Sequence, residues 1–231
     1  MSEEHIDKVL RDAGQPPPVD PALLDRVKAS LGPAMLPVRP LAPTWLLAAG
    51  LVLICAVIGI AGAVALGLKG VHVMSPVEIA AIFPVLAAML CLSAAYYAGA
   101  MIPGSRLSGA RWTLPAIVCL VLIAIFALLF HTYQTQNFVR QGLVCLKAGL
   151  LHAVPAALAC WWLLRRGCAV DSVATGLAQG TLAGLAGVLM LELHCAILEA
   201  PHVMLWHVAV VPVSAAGAAI FWMATRARSS L

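Results

Sequence analysis

Seven cysteines and seven histidines occur in this chain of 231 residues, and several fall at spacings that could do chemistry. Cys145 and His152 are seven residues apart, two turns of a helix, so a helix through them presents both on one face. Glu192, Cys195 and Glu199 follow at spacings of three and four, again one helical face. Lys147 lies close to Cys145 in sequence, and a nearby ammonium favours the thiolate that performs redox and metal chemistry. Three readings compete. Cys145 and Cys195 could form a reversible disulfide, provided their Cα atoms approach within about 7 Å. The same thiols could hold a transient metal ion with His194, His202 or His207, with Glu192 and His152 as further candidates, because soft sulfur plus imidazole suits zinc, copper and cadmium-like ions. Alternatively these side chains merely decorate helix ends, since no compact ligand motif such as CxxC or HExxH is present.

The elements that must position them are apolar. The chain is 62% hydrophobic and 10% charged, with a mean hydropathy of +0.98, more apolar surface than a soluble domain of this size can hide. Six long apolar segments, 45–68, 77–102, 112–132, 143–164, 172–198 and 203–225, each suffice to cross a hydrocarbon core of about 30 Å as a helix. The expected fold is an all-α membrane protein of six transmembrane helices, with a tail at 1–43, a membrane domain at 44–225 and a short C-terminal tail at 226–231. Lys and Arg near helix ends are retained on the cytoplasmic side. Eleven of the 14 cations lie in the N-terminal tail, the second and fourth loops and the C-terminus, against Lys69, Arg140 and Lys147 on the other side. Both termini are therefore expected in the cytoplasm. This orientation places Cys145 and Cys195 near the outer, oxidising face and keeps Cys55, Cys91, Cys119, Cys160 and Cys168 from it.

The net charge of +4 invites a nucleic-acid reading, but loop arginines account for most of it. In the tail Glu3, Glu4, Asp7, Asp12, Asp20 and Asp25 outnumber five cations, whereas a nucleic-acid-binding arm calls for a cationic excess. No direct nucleic-acid contact is expected; a slightly acidic, amphipathic tail suits a basic protein partner. The tail reads as two short helices. The first, over 3–13, carries Ile6, Val9 and Leu10 on one stripe and stops at Gly14 and the prolines Pro16 to Pro18. The second opens with Asp20 as N-cap and Pro21 at the first helical position, and closes at Gly32-Pro33. Leu23, Leu24, Val27 and Leu31 share its apolar face. Neither is long enough to be stable alone in water, so each needs a partner groove, the other helix or the lipid surface. Pro37, Pro40 and Pro43 then deny helix and favour an extended, semi-rigid spacer, the alternative being a simple connector.

Within the apolar segments, Gly176, Gly180 and Gly184, extended by Gly187, make a small-xxx-small ladder that lets a neighbouring helix approach closely. Pro84 and Pro155 are expected kinks. No nucleophile elbow, phosphate-cradling loop or pair of midplane carboxylates points to catalysis. Glu192 inside a helix motivates an alternative, a small metal or solute transporter, although no inverted repeat is visible.

Several short motifs in order carry a family resemblance: Leu36-Pro37-Val38-Arg39-Pro40-Leu41, Ile102-Pro103-Gly104, Cys145-Leu146-Lys147-Ala148-Gly149, and Leu163-Leu164-Arg165-Arg166-Gly167. Thr181-Leu182-Ala183-Gly184-Leu185-Ala186-Gly187, His194-Cys195 and Leu205-Trp206-His207 complete them. In these the chain resembles the six-helix membrane anti-sigma factors of the NrsF type, negative regulators of extracytoplasmic-function sigma factor F in proteobacteria. The resemblance implies that the tail sequesters a sigma factor at the membrane. It also implies that the paired cysteines at Cys145 and Cys195 sense oxidant or heavy metal outside. Family members commonly carry Cys-Pro-Glu-Asp after the histidine, where this chain continues His194-Cys195-Ala196-Ile197-Leu198-Glu199. That keeps one acid, removes the proline and shifts the charge.

Overall fold

A computed structural model describes residues 20–31, 42–102, 111–133, 137–169 and 171–228. All regular structure among them is helical. The chain divides into two compact units, Met1–Pro40 and Leu41–Leu231.

In the first unit, α1 is Pro21–Leu31. Proline at its start needs no N–H partner, and the Asp20 carboxylate accepts a 2.9 Å hydrogen bond from the Ala22 amide, the expected cap. Leu23, Leu24 and Val27, its apolar face, are all exposed. The first tail stripe, Ile6, Val9 and Leu10, lies outside the described residues, as does the side chain of Leu31.

The second unit contains α2 (Thr44–Leu66), α3 (Lys69–Val73), α4 (Pro76–Ala100), α5 (Thr113–Leu129), α6 (Phe138–Leu164), α7 (Ser172–His194), the single turn α8 (Ala200–His202), a π-helical turn (Val203–His207) and α9 (Val210–Arg228). Five stretches are long and apolar enough to cross a membrane: Thr44–Leu66, Pro76–Ala100, Phe138–Leu164, Ser172–His194 and Ala200–Thr225. The sixth apolar segment forms a helix of only 17 residues, α5, about 25 Å long at 1.5 Å per residue.

The helix α7 is the axis of the bundle. Every residue from Thr175 to Glu192 is buried, and α9, α6, α2 and α4 pack around it. A helix apolar on all sides needs such a jacket. The glycine ladder brings α9 closest: a Cβ on Gly176 would stand 2.5 Å from Ala219 Cα, one on Gly184 2.8 Å from Val211 Cα, and one on Gly180 would strike the Ser214 carbonyl oxygen. Gly187 turns to α6, where its Cβ would meet the Gly149 carbonyl oxygen at 2.5 Å. The side chain of Gln179 crosslinks the same helices, donating to the Ala157 carbonyl on α6 at 2.7 Å and accepting from the Trp222 indole on α9. The jacket carries the reverse pattern of a soluble protein, with Leu53, Val64, Leu120, Leu128, Leu151 and Ile220 pointing away from the bundle.

Candidate functional site

At one end of the bundle α7 stops at His194, one helical turn earlier than the apolar run predicts. Residues 195–199 are not helical, so the expected alignment of Glu199 with Glu192 and Cys195 on a single helix face is not formed. Cys195 is instead the capping residue after α7, and its buried side chain turns towards α6. There its Sγ lies 3.7 Å from the Sγ of Cys145. The two thiols singled out by their spacing and topology are thus in van der Waals contact across 50 residues of sequence.

The π-turn supplies the rest. In an α-helix residues five apart diverge by about 140°, so His202 and His207 would face different ways. The turn Val203–His207, closed by the Val208 amide bonding five residues back to the Val203 carbonyl, brings them to one side. Their rings stand edge to face with centroids 5.3 Å apart. His202 Nε2 is 3.7 Å from Cys195 Sγ. One ligand atom from each of Cys145, Cys195, His202 and His207 lies within 4.8 Å of all the others, a set that can hold a metal ion. Two sulfurs and two imidazole nitrogens form the soft tetrahedral donor set that zinc and cadmium take.

Glu192 stands behind this set rather than in it. Its Oε1 accepts a 2.7 Å hydrogen bond from His207 Nδ1, with both side chains 0% exposed. That fixes the tautomer and leaves His207 Nε2, which has no hydrogen-bond partner, to meet an ion. His202 Nδ1 and Glu192 Oε2 are likewise buried without a partner. Such orphaned atoms are costly in an interior, and three in one cluster fit a site built for a ligand. The neighbouring Cys145 thiol and burial together hold Cys195 above the usual thiol range, against the opposite pull of His202 and His207.

Other sequence candidates go elsewhere. His194 Nδ1 donates to the Gly67 carbonyl at 2.8 Å, fastening the end of α7 to the end of α2. Gly67 sits at φ 96°, a left-handed conformation glycine adopts without strain. His152 donates to Ala148 on its own helix, and its ring fills the space beside Gly62 on α2. Lys147 is exposed and lies about 200° round the helix from Cys145, so its ammonium faces away from the thiol. Sequence reasoning missed two features: the π-turn, which leaves no clear residue signature, and a second thiol contact, Cys55 to Cys160 at 3.7 Å.

Fold and site together define a class: a helical protein with membrane-length apolar helices and a buried thiol–imidazole cluster at one end of the bundle. The chain belongs to the family described as negative regulator of sigma F, NrsF, whose family model matches residues 31–226. No curated protein and no solved structure matches the chain. Membership makes it a regulator that acts negatively on a sigma factor, which is its implied partner.

Proposed function

We propose that the protein is a six-span anti-sigma factor of the bacterial inner membrane, with both termini in the cytoplasm. It holds an extracytoplasmic-function sigma factor through residues 1–43 and releases it when oxidant or heavy metal acts on Cys145 and Cys195. The observation that carries the sensing half is the convergence of Cys145, Cys195, His202 and His207 within 4.8 Å, backed by the Glu192–His207 pair. Glu192, the motive for a transport alternative, is engaged by His207 and so supports the sensor instead. The holding half rests on family membership and on α1, whose exposed Leu23, Leu24 and Val27 form a stripe that suits a partner groove.

Coupling has a physical path in this reading. Cys195 adjoins His194, which is bonded to Gly67 at the end of α2. A Cβ on Gly70 of α3 would stand 2.9 Å from the Cys195 carbonyl oxygen and collide with the backbone of Glu192, so α3 passes close over the end of α7. A ligand that tightens the thiol–imidazole cluster pulls on the segment terminating α2, and α2 begins directly after the tail. Release requires the ligand to favour the tail-free state by a few kcal/mol. The tail assignment is tested by a bacterial two-hybrid screen of residues 1–43 against the sigma factors of the same genome. One sigma factor should score, and Leu23→Asp or Val27→Asp should abolish the signal; no interaction with any of them would overturn the reading.

A further inference from the structure

Away from the cluster, Cys55 on α2 and Cys160 on α6 meet Sγ to Sγ at 3.7 Å, the same separation as Cys145 and Cys195. Both are 0% exposed. On α6 Cys160 follows Cys145 by fifteen residues, about 22 Å along the axis, so the two pairs cannot exchange directly and constitute separate sites. A single buried cysteine is an ordinary small apolar residue. Two in contact across a seam between helices are different, because a modest approach brings their sulfurs to the disulfide length of about 2.05 Å. Among the described residues no further His, Cys, Asp or Glu joins them to make a metal cluster of three or more, so a four-coordinate ion is not served. Thiol pair and disulfide are both uncharged, and an apolar interior can hold either form.

We propose that Cys55 and Cys160 are a second dithiol site, closing to an intramembrane disulfide that clips α2 to α6 when a membrane-permeant two-electron oxidant enters the bundle. The compartment outside is immaterial to such a reagent, which is why the topological argument that sets these cysteines apart from an oxidising face does not bear on them. With a diazene such as diamide the step balances. One sulfur adds to the N=N bond, the second displaces it to form S–S, and the nitrogen product keeps two electrons and both thiol protons. The clip joins the helix that follows the tail to the helix that carries Cys145, and its formation is independent of any sigma factor.

Full-length wild-type protein in native membranes is treated with diamide, dissolved in SDS with excess N-ethylmaleimide, and digested without reduction for mass spectrometry. The expected product is a peptide pair joined Cys55 to Cys160. It should persist in Cys145→Ala and vanish in Cys55→Ala and Cys160→Ala. In the parallel gel, reduction and labelling with maleimide-polyethylene glycol should add two labels per Cys145→Ala chain. Complete N-ethylmaleimide capture of Cys55 and Cys160 in wild type, while Cys145 and Cys195 are oxidised in the same sample, would overturn the proposal. Linkage of Cys55 or Cys160 only to other cysteines would do the same.

Discussion

Replacing Glu192 by glutamine probes the cluster through one interaction. Gln keeps the shape and a carbonyl oxygen for His207 Nδ1, but removes the charge. The bond is 2.7 Å long between two side chains with 0% exposure, so neither water nor salt screens it. A hydrogen bond to a charged group contributes about 1.5–3 kcal/mol, which corresponds to roughly a 10- to 100-fold change in a dissociation constant. Loss of a carboxylate behind a ligating histidine costs roughly the same factor in metal affinity. Cadmium is titrated into purified full-length protein against a competing chelator, and the thiolate-to-metal absorption band gives occupancy. Wild type should bind one ion, and Glu192→Gln should bind it 10- to 100-fold more weakly (roughly, on those same magnitudes). Metal-free thermal unfolding of the variant must stay close to wild type, which separates loss of the site from loss of the fold. An affinity within about twofold of wild type would mean that His207 is not a ligand oriented by Glu192, and the four-ligand geometry would fall with it.

Cadmium affinity should rise with pH, because thiolate ligation by Cys195 displaces its proton. Cys195 is held above the usual thiol range, so that proton is present at neutral pH and below. There the dissociation constant should tighten by at least about tenfold per pH unit; a flat titration between about pH 6 and 7.5 would exclude thiolate ligation. Gly180→Ala should destabilise the bundle by about 1–3 kcal/mol, as overpacking does, since its Cβ would press on the Ser214 carbonyl and the Ala215 Cα at 2.5 Å, backbone atoms that cannot turn aside. Gly217→Ala on α9, with nothing within 4 Å of its Cβ, is the control and should unfold no earlier than wild type; equal effects at the two positions would refute close α7–α9 packing.

Much of this architecture is legible in the residues, because a lipid-facing helix needs only a long apolar run and an axis helix needs apolar residues all round. The glycine ladder at Gly176, Gly180 and Gly184 announces close packing, and the structure supplies what sequence could not, that α9 is the partner. Topology likewise isolates Cys145 and Cys195, and the structure brings them together. What fails is helical phase. Extending α7 through residue 198 puts Glu199 on the face of Cys195, whereas the helix ends at His194 and the chain turns away. A regular α-helix through His202 and His207 separates rings that the π-turn unites. Cys55 and Cys160, 105 residues apart on helices with no shared motif, become neighbours only through tertiary packing.

The proposed release, by ligand at the cluster, of a sigma factor held by the tail can be measured in one membrane preparation. Membranes containing the full-length protein and its sigma factor are washed, exposed to cadmium, and sedimented, and the sigma factor is quantified in pellet and supernatant. The sigma factor should sediment with wild-type membranes, move to the supernatant on cadmium addition, and stay in the pellet when Cys145→Ser replaces wild type. Sigma factor that never sediments, or that is released equally from wild type and Cys145→Ser, would contradict it.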